Sequence, residues 1–103
     1  MKNVPNLQKM IKNAKQMQEK LQRELAEMRI EGASGGGMVV VIVDGLKNLI
    51  SIKIDPEVVN KEDIEMLQDL VIAAFNDAGA KVDKSVSEKL GVMGAGFKIP
   101  GLL

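Results

Sequence analysis

Lys9, Lys12, Lys15, Lys20 and Arg23 recur every three to five residues in NLQKMIKNAKQMQEKLQREL, residues 6–25. Ammonium and guanidinium groups at such spacing are suited to holding phosphate oxygens rather than to making or breaking bonds. Gln16 and Gln22 stand among them and can donate hydrogen bonds to the same oxygens. No acidic residue precedes Glu19, so Lys9, Lys12 and Lys15 have few local partners. Farther on, Glu19, Glu24 and Glu27 can pair with Lys15, Lys20 and Arg23 one helical turn away, as on an ordinary solvated helix face. The row therefore supports two readings, a nucleic-acid contact and a solvated face.

Other constellations carry less chemistry. The chain has no histidine and no cysteine. That removes the usual general base, disulfides, thiolate metal sites and the commonest transition-metal ligand. A Ser–Lys pair drawn from Ser34, Ser51, Ser85 or Ser87 would be a chance pairing at this lysine density. GASGGG (32–37) lacks the Lys-Ser/Thr of a phosphate loop and precedes a strand-like run, so it reads as a hairpin turn. GVMGAG (91–96) lacks the dinucleotide spacing. Glu62, Asp63, Glu65 and Asp69 lack calcium-loop spacing and read as a solvated acidic helix face. Phe75 and Phe97 are the only aromatic residues, too few for a base-stacking platform. The residues describe a protein with no catalytic residues, no metal site, no cofactor and no small-molecule substrate.

The elements that must carry the basic row follow from periodicity. Leu7, Met10, Ala14, Met17, Leu21 and Met28 fall on the a and d positions of a heptad, broken by Glu24 and widened by Ile11 and Leu25. This predicts a helix from about Asn6, as cap, to Met28, with the basic row mostly opposite the apolar seam. At about 1.5 Å per residue it would be roughly 35 Å long. A small core cannot cover such a seam, and a second copy is its natural cover.

A short strand around residues 29–33, the Gly35-Gly36-Gly37 turn and the run Met38–Val43 come next. Asp44-Gly45 predicts a two-residue hairpin that would pair Val43 with Leu46, Val41 with Asn48 and Val39 with Ile50. Val39, Val41, Val43, Leu46, Ile50, Ile52 and Ile54 would then share the core face. Met38, Val40, Ile42 and Leu49 would form a second apolar patch among Lys47, Ser51 and Lys53, suited to a dimer interface. Asn60, with Asp63 as a variant capping box, predicts a second helix through Ile64, Leu67, Val71, Ala74, Phe75 and Ala78, running as far as Leu90. Residues 91–103 read as a flexible Gly-rich tail beyond a single domain of residues 1–90. Helix, two or three antiparallel strands and helix make an α+β class.

The chain is formally neutral, with 14 basic and 14 acidic side chains, yet it is polarised. Residues 1–29 carry a surplus of four positive charges, and residues 55–83 a surplus of six negative ones. The longest apolar run, Met38–Val43, is too short for a membrane span or a signal peptide, so the expected location is the cytoplasm without membrane attachment.

QMQEKLQ (16–22), GGGMVVVIVDGLKNLISIKIDP (35–56), LQDLVIAAFNDA (67–78) and GFKIP (96–100) together resemble the YbaB/EbfC family of bacterial nucleoid-associated proteins. The likeness spans nearly the whole chain in order. It implies an α-β-β-β-α protomer with a small antiparallel sheet, a homodimer, and binding of double-stranded DNA with weak sequence preference. It also implies a place at the nucleoid, a role in chromosome organisation, gene expression or repair, and no enzymatic activity. The resemblance supplies no short DNA-contact motif. The expected contacts, Lys9, Lys12, Lys15, Gln16, Lys20 and Arg23, rest on the helix-face argument. The competing expectation is a protein-interaction module that uses the seam of the first helix.

Overall fold

A computed structural model describes the backbone of residues 4–93 and the side chains of residues 6–91. The order is α1 (Val4–Glu27), β1 (Ile30–Ser34), a 3-10 turn (Gly35–Gly37), β2 (Val39–Val43), β3 (Leu49–Ile54), a second 3-10 turn (Pro56–Val58) and α2 (Ile64–Met93). This is the expected α+β arrangement, with three strands in an antiparallel meander ordered β1-β2-β3.

Each element has a local cause. α1 begins two residues before Asn6, so Asn6 lies inside the helix and is not its cap. Pro5 is tolerated there because the first helical turn needs no donor from it. At the other end, Arg29 Nη1 donates to the carbonyls of Ala26 at 2.9 Å and Met28 at 2.8 Å, satisfying acceptors that the helix leaves open. α2 is capped by Asp63, whose Oδ1 accepts from the Met66 N–H at 3.1 Å. Asn60 instead organises the preceding turn, accepting from the Glu62 N–H at 2.9 Å. α2 runs through Gly79 and includes residues 91–93. The remainder of the segment expected as a tail lies outside the described residues.

The hairpin differs from the two-residue expectation. Val43 pairs with Leu49, Val41 with Ile52 and Val39 with Ile54, with a bulge at the Val43 step. Asp44 makes the turn longer. Its carboxylate accepts from the N–H groups of Leu46 at 2.8 Å and Asn48 at 2.9 Å, and from the Asn48 side-chain amide at 3.0 Å. Lys47 takes the left-handed conformation, with φ 66°, that a type I′ turn would have asked of Gly45. Gly45 serves a different need: its N–H donates to the Leu25 carbonyl at 2.8 Å, and an added Cβ would stand 2.8 Å from that oxygen. Glycine is required here so that the end of α1 can seat on the turn.

α2 packs on β1 and β2, enclosing Val39, Val41, Val43, Val58, Ala74, Ala78 and Val82. Gly32 lets helix and sheet close up, since a Cβ there would run into the Ala74 carbonyl and Ala78. Side chains of α2 also occupy the outer edge of β1. Asp77 Oδ2 accepts from the Ala33 N–H at 3.0 Å, and Lys81 Nζ donates to the Glu31 carbonyl at 3.4 Å. That edge is thereby protected from pairing with another strand.

Candidate nucleic-acid interface

The sequence places its basic row on α1, and the structure leaves α1 almost alone. From Asn6 to Lys20 every side chain of the helix is exposed. Only its last two turns touch the body, through half-buried Leu21, Glu24, Leu25 and Met28. The result is an elongated molecule, 73 × 22 × 17 Å, from which α1 projects as an arm.

Lys9, Lys12, Lys15, Gln16, Lys20 and Arg23 are brought together on the exposed arm. By helical geometry, Lys9, Lys12, Gln16, Lys20 and Arg23 share the side opposite the apolar seam, and Lys15 lies at its flank. From Lys9 to Arg23 the row is about 21 Å long, the axial length of about six phosphates on one strand of a duplex.

Ion pairing shows how far this row is neutralised within the protomer. Among the described residues the ion pairs are Lys47–Asp83 at 2.8 Å, Lys81–Asp77 at 2.9 Å and Lys89–Glu24 at 3.3 Å. Lys9, Lys12, Lys15, Lys20 and Arg23 make none. Glu24, which could have neutralised Lys20, is drawn instead to Lys89 on α2. The arm's cations are therefore solvated and available.

Two carboxylates of the body, Asp44 and Asp77, are committed to holding the fold. Burial pushes the Asp44 carboxyl up, but donors from Asn48 and Leu46, with the charge of Arg29, outweigh it and hold the group below its ordinary 3.8. Asp77 is likewise held low, first by the Ala33 N–H and then by Lys81. Glu62, Asp63, Glu65 and Asp69 are exposed around the start of α2.

The four residues expected at a dimer interface are not on one surface. Val40 and Ile42 are half-buried and point away from α2, whereas Met38 packs against the core. The bulge places Leu49 opposite Val43, on the α2 side of the sheet. There it joins residues expected in the core that are partly exposed: Leu49 is 46% exposed, Ile50 47%, Ile52 42% and Ile54 37%. The cause is dimensional. A helix about 10 Å across covers about two strands spaced about 4.8 Å apart, so α2 covers β1 and β2 and leaves β3 bare.

Residues 1–97 match the YbaB/EbfC DNA-binding family. A nucleoid-associated protein of Caldanaerobacter subterraneus subsp. tengcongensis is 48% identical over 100 residues, covering 94% of this chain and 90% of that protein. One from Koribacter versatilis is 49% identical over 96 residues, covering 93% and 95%. The crystal structure of an uncharacterised Helicobacter pylori protein superposes with a TM-score of 0.72 at 27% identity, covering 87% of this chain and 95% of that one. An arm of unpaired cations on a three-stranded α+β body, together with a family match over nearly the full length, establishes that this chain belongs to the YbaB/EbfC DNA-binding family.

Proposed function

We propose that the protein binds double-stranded DNA as a homodimer, with little sequence preference, and works at the bacterial nucleoid in the cytoplasm. The observation that carries this reading is the row of exposed, unpaired cations on α1. Lys9, Lys12, Lys15, Lys20 and Arg23 contact phosphates, and Gln16 adds a hydrogen bond. Cations that follow a backbone release counterions and read no base edges, so occupancy depends weakly on sequence. Nucleoid organisation, and effects on transcription or repair, follow from where and how densely the protein sits. The names of the relatives support the nucleoid assignment.

The dimer forms through the bare side of β3. Leu49, Ile50, Ile52 and Ile54 make an exposed apolar surface beside the one sheet edge that α2 does not occupy. A second copy supplies the apolar cover. Two arms then act on one duplex and raise the effective affinity of each.

Fluorescence anisotropy with random-sequence duplex DNA across a salt series tests this. A log–log slope of about nine in magnitude fits five cations on each of two basic arms, at about 0.9 per phosphate neutralised. No binding at low salt would leave the row a solvated helix face.

A further inference from the structure

The apolar seam of α1 does not end where its contact with the body ends. Leu21, Glu24, Leu25 and Met28 are half-buried, and the same side of the helix continues toward the N-terminus as Met17, Ala14, Ile11, Met10 and Leu7. These residues are bare: Leu7 is 55% exposed, Met10 66%, Ile11 60% and Met17 48%. The stripe is thus a direct extension of a contact already present in the fold. What covers it should enter from the end of that contact.

α2 brings the chain to that point. Lys47, beside the turn on which Leu25 is seated, pairs with Asp83, and Lys89 pairs with Glu24. Lys81 reaches the Glu31 carbonyl on β1 and Lys89 reaches Glu24, so α2 advances from β1 past the C-terminal end of α1 toward its N-terminal end. By Met93 it has moved about 6 Å beyond Lys89. The sequence then continues with GAGFKIPGLL, residues 94–103.

We propose that the bare stripe of α1 is the docking surface for residues 94–103 of the same chain. Ten residues reach at most about 33–36 Å, whereas the stripe from the end of α2 to Leu7 is about 20 Å long. The segment is chemically matched to the stripe: Phe97, Ile99, Leu102 and Leu103 are apolar, and Lys98 is its only charged side chain. Its glycines let backbone approach the helix closely. Docking covers the apolar side of the arm with chain from its own molecule and leaves the opposite, basic side free. It also stiffens a helix that otherwise holds only by its last two turns.

The absence of native cysteine makes a cross-linking test clean. In the full-length protein, Met10→Cys with Ile99→Cys is oxidised under mild conditions and compared with Lys12→Cys with Ile99→Cys, which puts the thiol on the opposite side of α1. The expected result is a disulfide within one chain, formed at least about tenfold faster for the Met10 pair, because docking raises the local thiol concentration there. Equal rates overturn the proposal. So does a disulfide that forms only between copies, shown by mixing the single-cysteine variants, since the occupant is then a second molecule. Hydrogen exchange supplies an independent readout: Phe97→Asp with Ile99→Asp should speed exchange of α1 amides 7–17 and leave β2 unchanged. Unaltered α1 exchange also overturns it.

Discussion

The arm and the body of this molecule differ in how much of their positive charge is paired. In the body, Lys47, Lys81 and Lys89 each meet a carboxylate within 4 Å, Lys53, Lys61 and Lys84 stand singly without one among the described residues, and Arg29 closes the end of α1. On the arm, five cations in about four turns meet none. A lysine whose neighbours neutralise it is part of the scaffold, whereas on the proposed function a lysine on a solvated rod is a ligand for something outside. The neutral total conceals this division, because the sum weighs both kinds equally.

Charge reversal on the arm should break the comparison most severely. Lys9→Glu combined with Lys12→Glu is expected to lower DNA affinity at least about a hundredfold at low salt. Because two contacts are lost on each of two arms, the salt slope should fall by about four. The melting temperature should barely move, since surface changes away from packed features cost about 0.5 kcal/mol or less. Unchanged affinity would falsify the assignment of DNA contact to the arm.

The complementary change belongs to the body. Gly32→Val puts a branched side chain where a Cβ already collides with the Ala74 carbonyl and Ala78. Overpacking at a helix–sheet contact should cost about 3 kcal/mol, read as a lower denaturation midpoint with an unchanged slope. Whatever folded protein remains should keep its salt slope, because the arm is untouched. A variant with full stability and altered DNA binding would reverse the roles given to the two regions.

Between these lies the proposed dimer surface. Ile52→Asp alters a side chain that is exposed in the protomer, so the protomer should fold. Sedimentation should show dissociation shifted toward monomer by at least about tenfold, the effect of about 1.4 kcal/mol. The salt slope of DNA binding should approach half its value, since one arm acts where two did. A dimer that survives this change must use another face, and Val40 and Ile42 on the far side of the sheet are the alternative.

Periodicity made the two helices and the order of elements legible, and it put the basic row opposite the seam. The extent of cover was not legible. Ile52 and Ile54 have the pattern of core residues, and only the width of α2 against the sheet reveals that, among the described residues, they are left partly uncovered. The turn departs from its sequence pattern for a related reason. Asp44-Gly45 has the composition of a tight hairpin, but Gly45 answers to a long-range contact with Leu25, and the left-handed residue is Lys47. Local composition cannot distinguish a glycine needed for its dihedral angle from one needed for its missing Cβ. The ion pair of Glu24 and the hydrogen bond that ties Asp77 to β1 were equally hidden. Their partners, Lys89 on α2 and the Ala33 N–H on β1, are adjacent only after folding.

The smallest expected effect tests whether the body's carboxylates act through charge. Asp44→Asn keeps the size of the side chain and can still accept from the Leu46 and Asn48 N–H groups, but it presents a second amide to the Asn48 side chain. The folded Asp44 carboxyl ionises below its ordinary 3.8, so its charge stabilises the native state above that value. The contribution is lost as pH falls through the lower, folded value. Wild type should therefore be the more stable protein at neutral pH, and the gap to Asp44→Asn should narrow between about pH 5 and pH 2. Urea midpoints taken across that range measure the gap directly. A constant difference would mean that the shape of the turn, and not the charge on Asp44, is what the body requires there. DNA affinity at neutral pH should be the same for both proteins, because Asp44 holds the joint on which the arm is seated and none of the arm's cations.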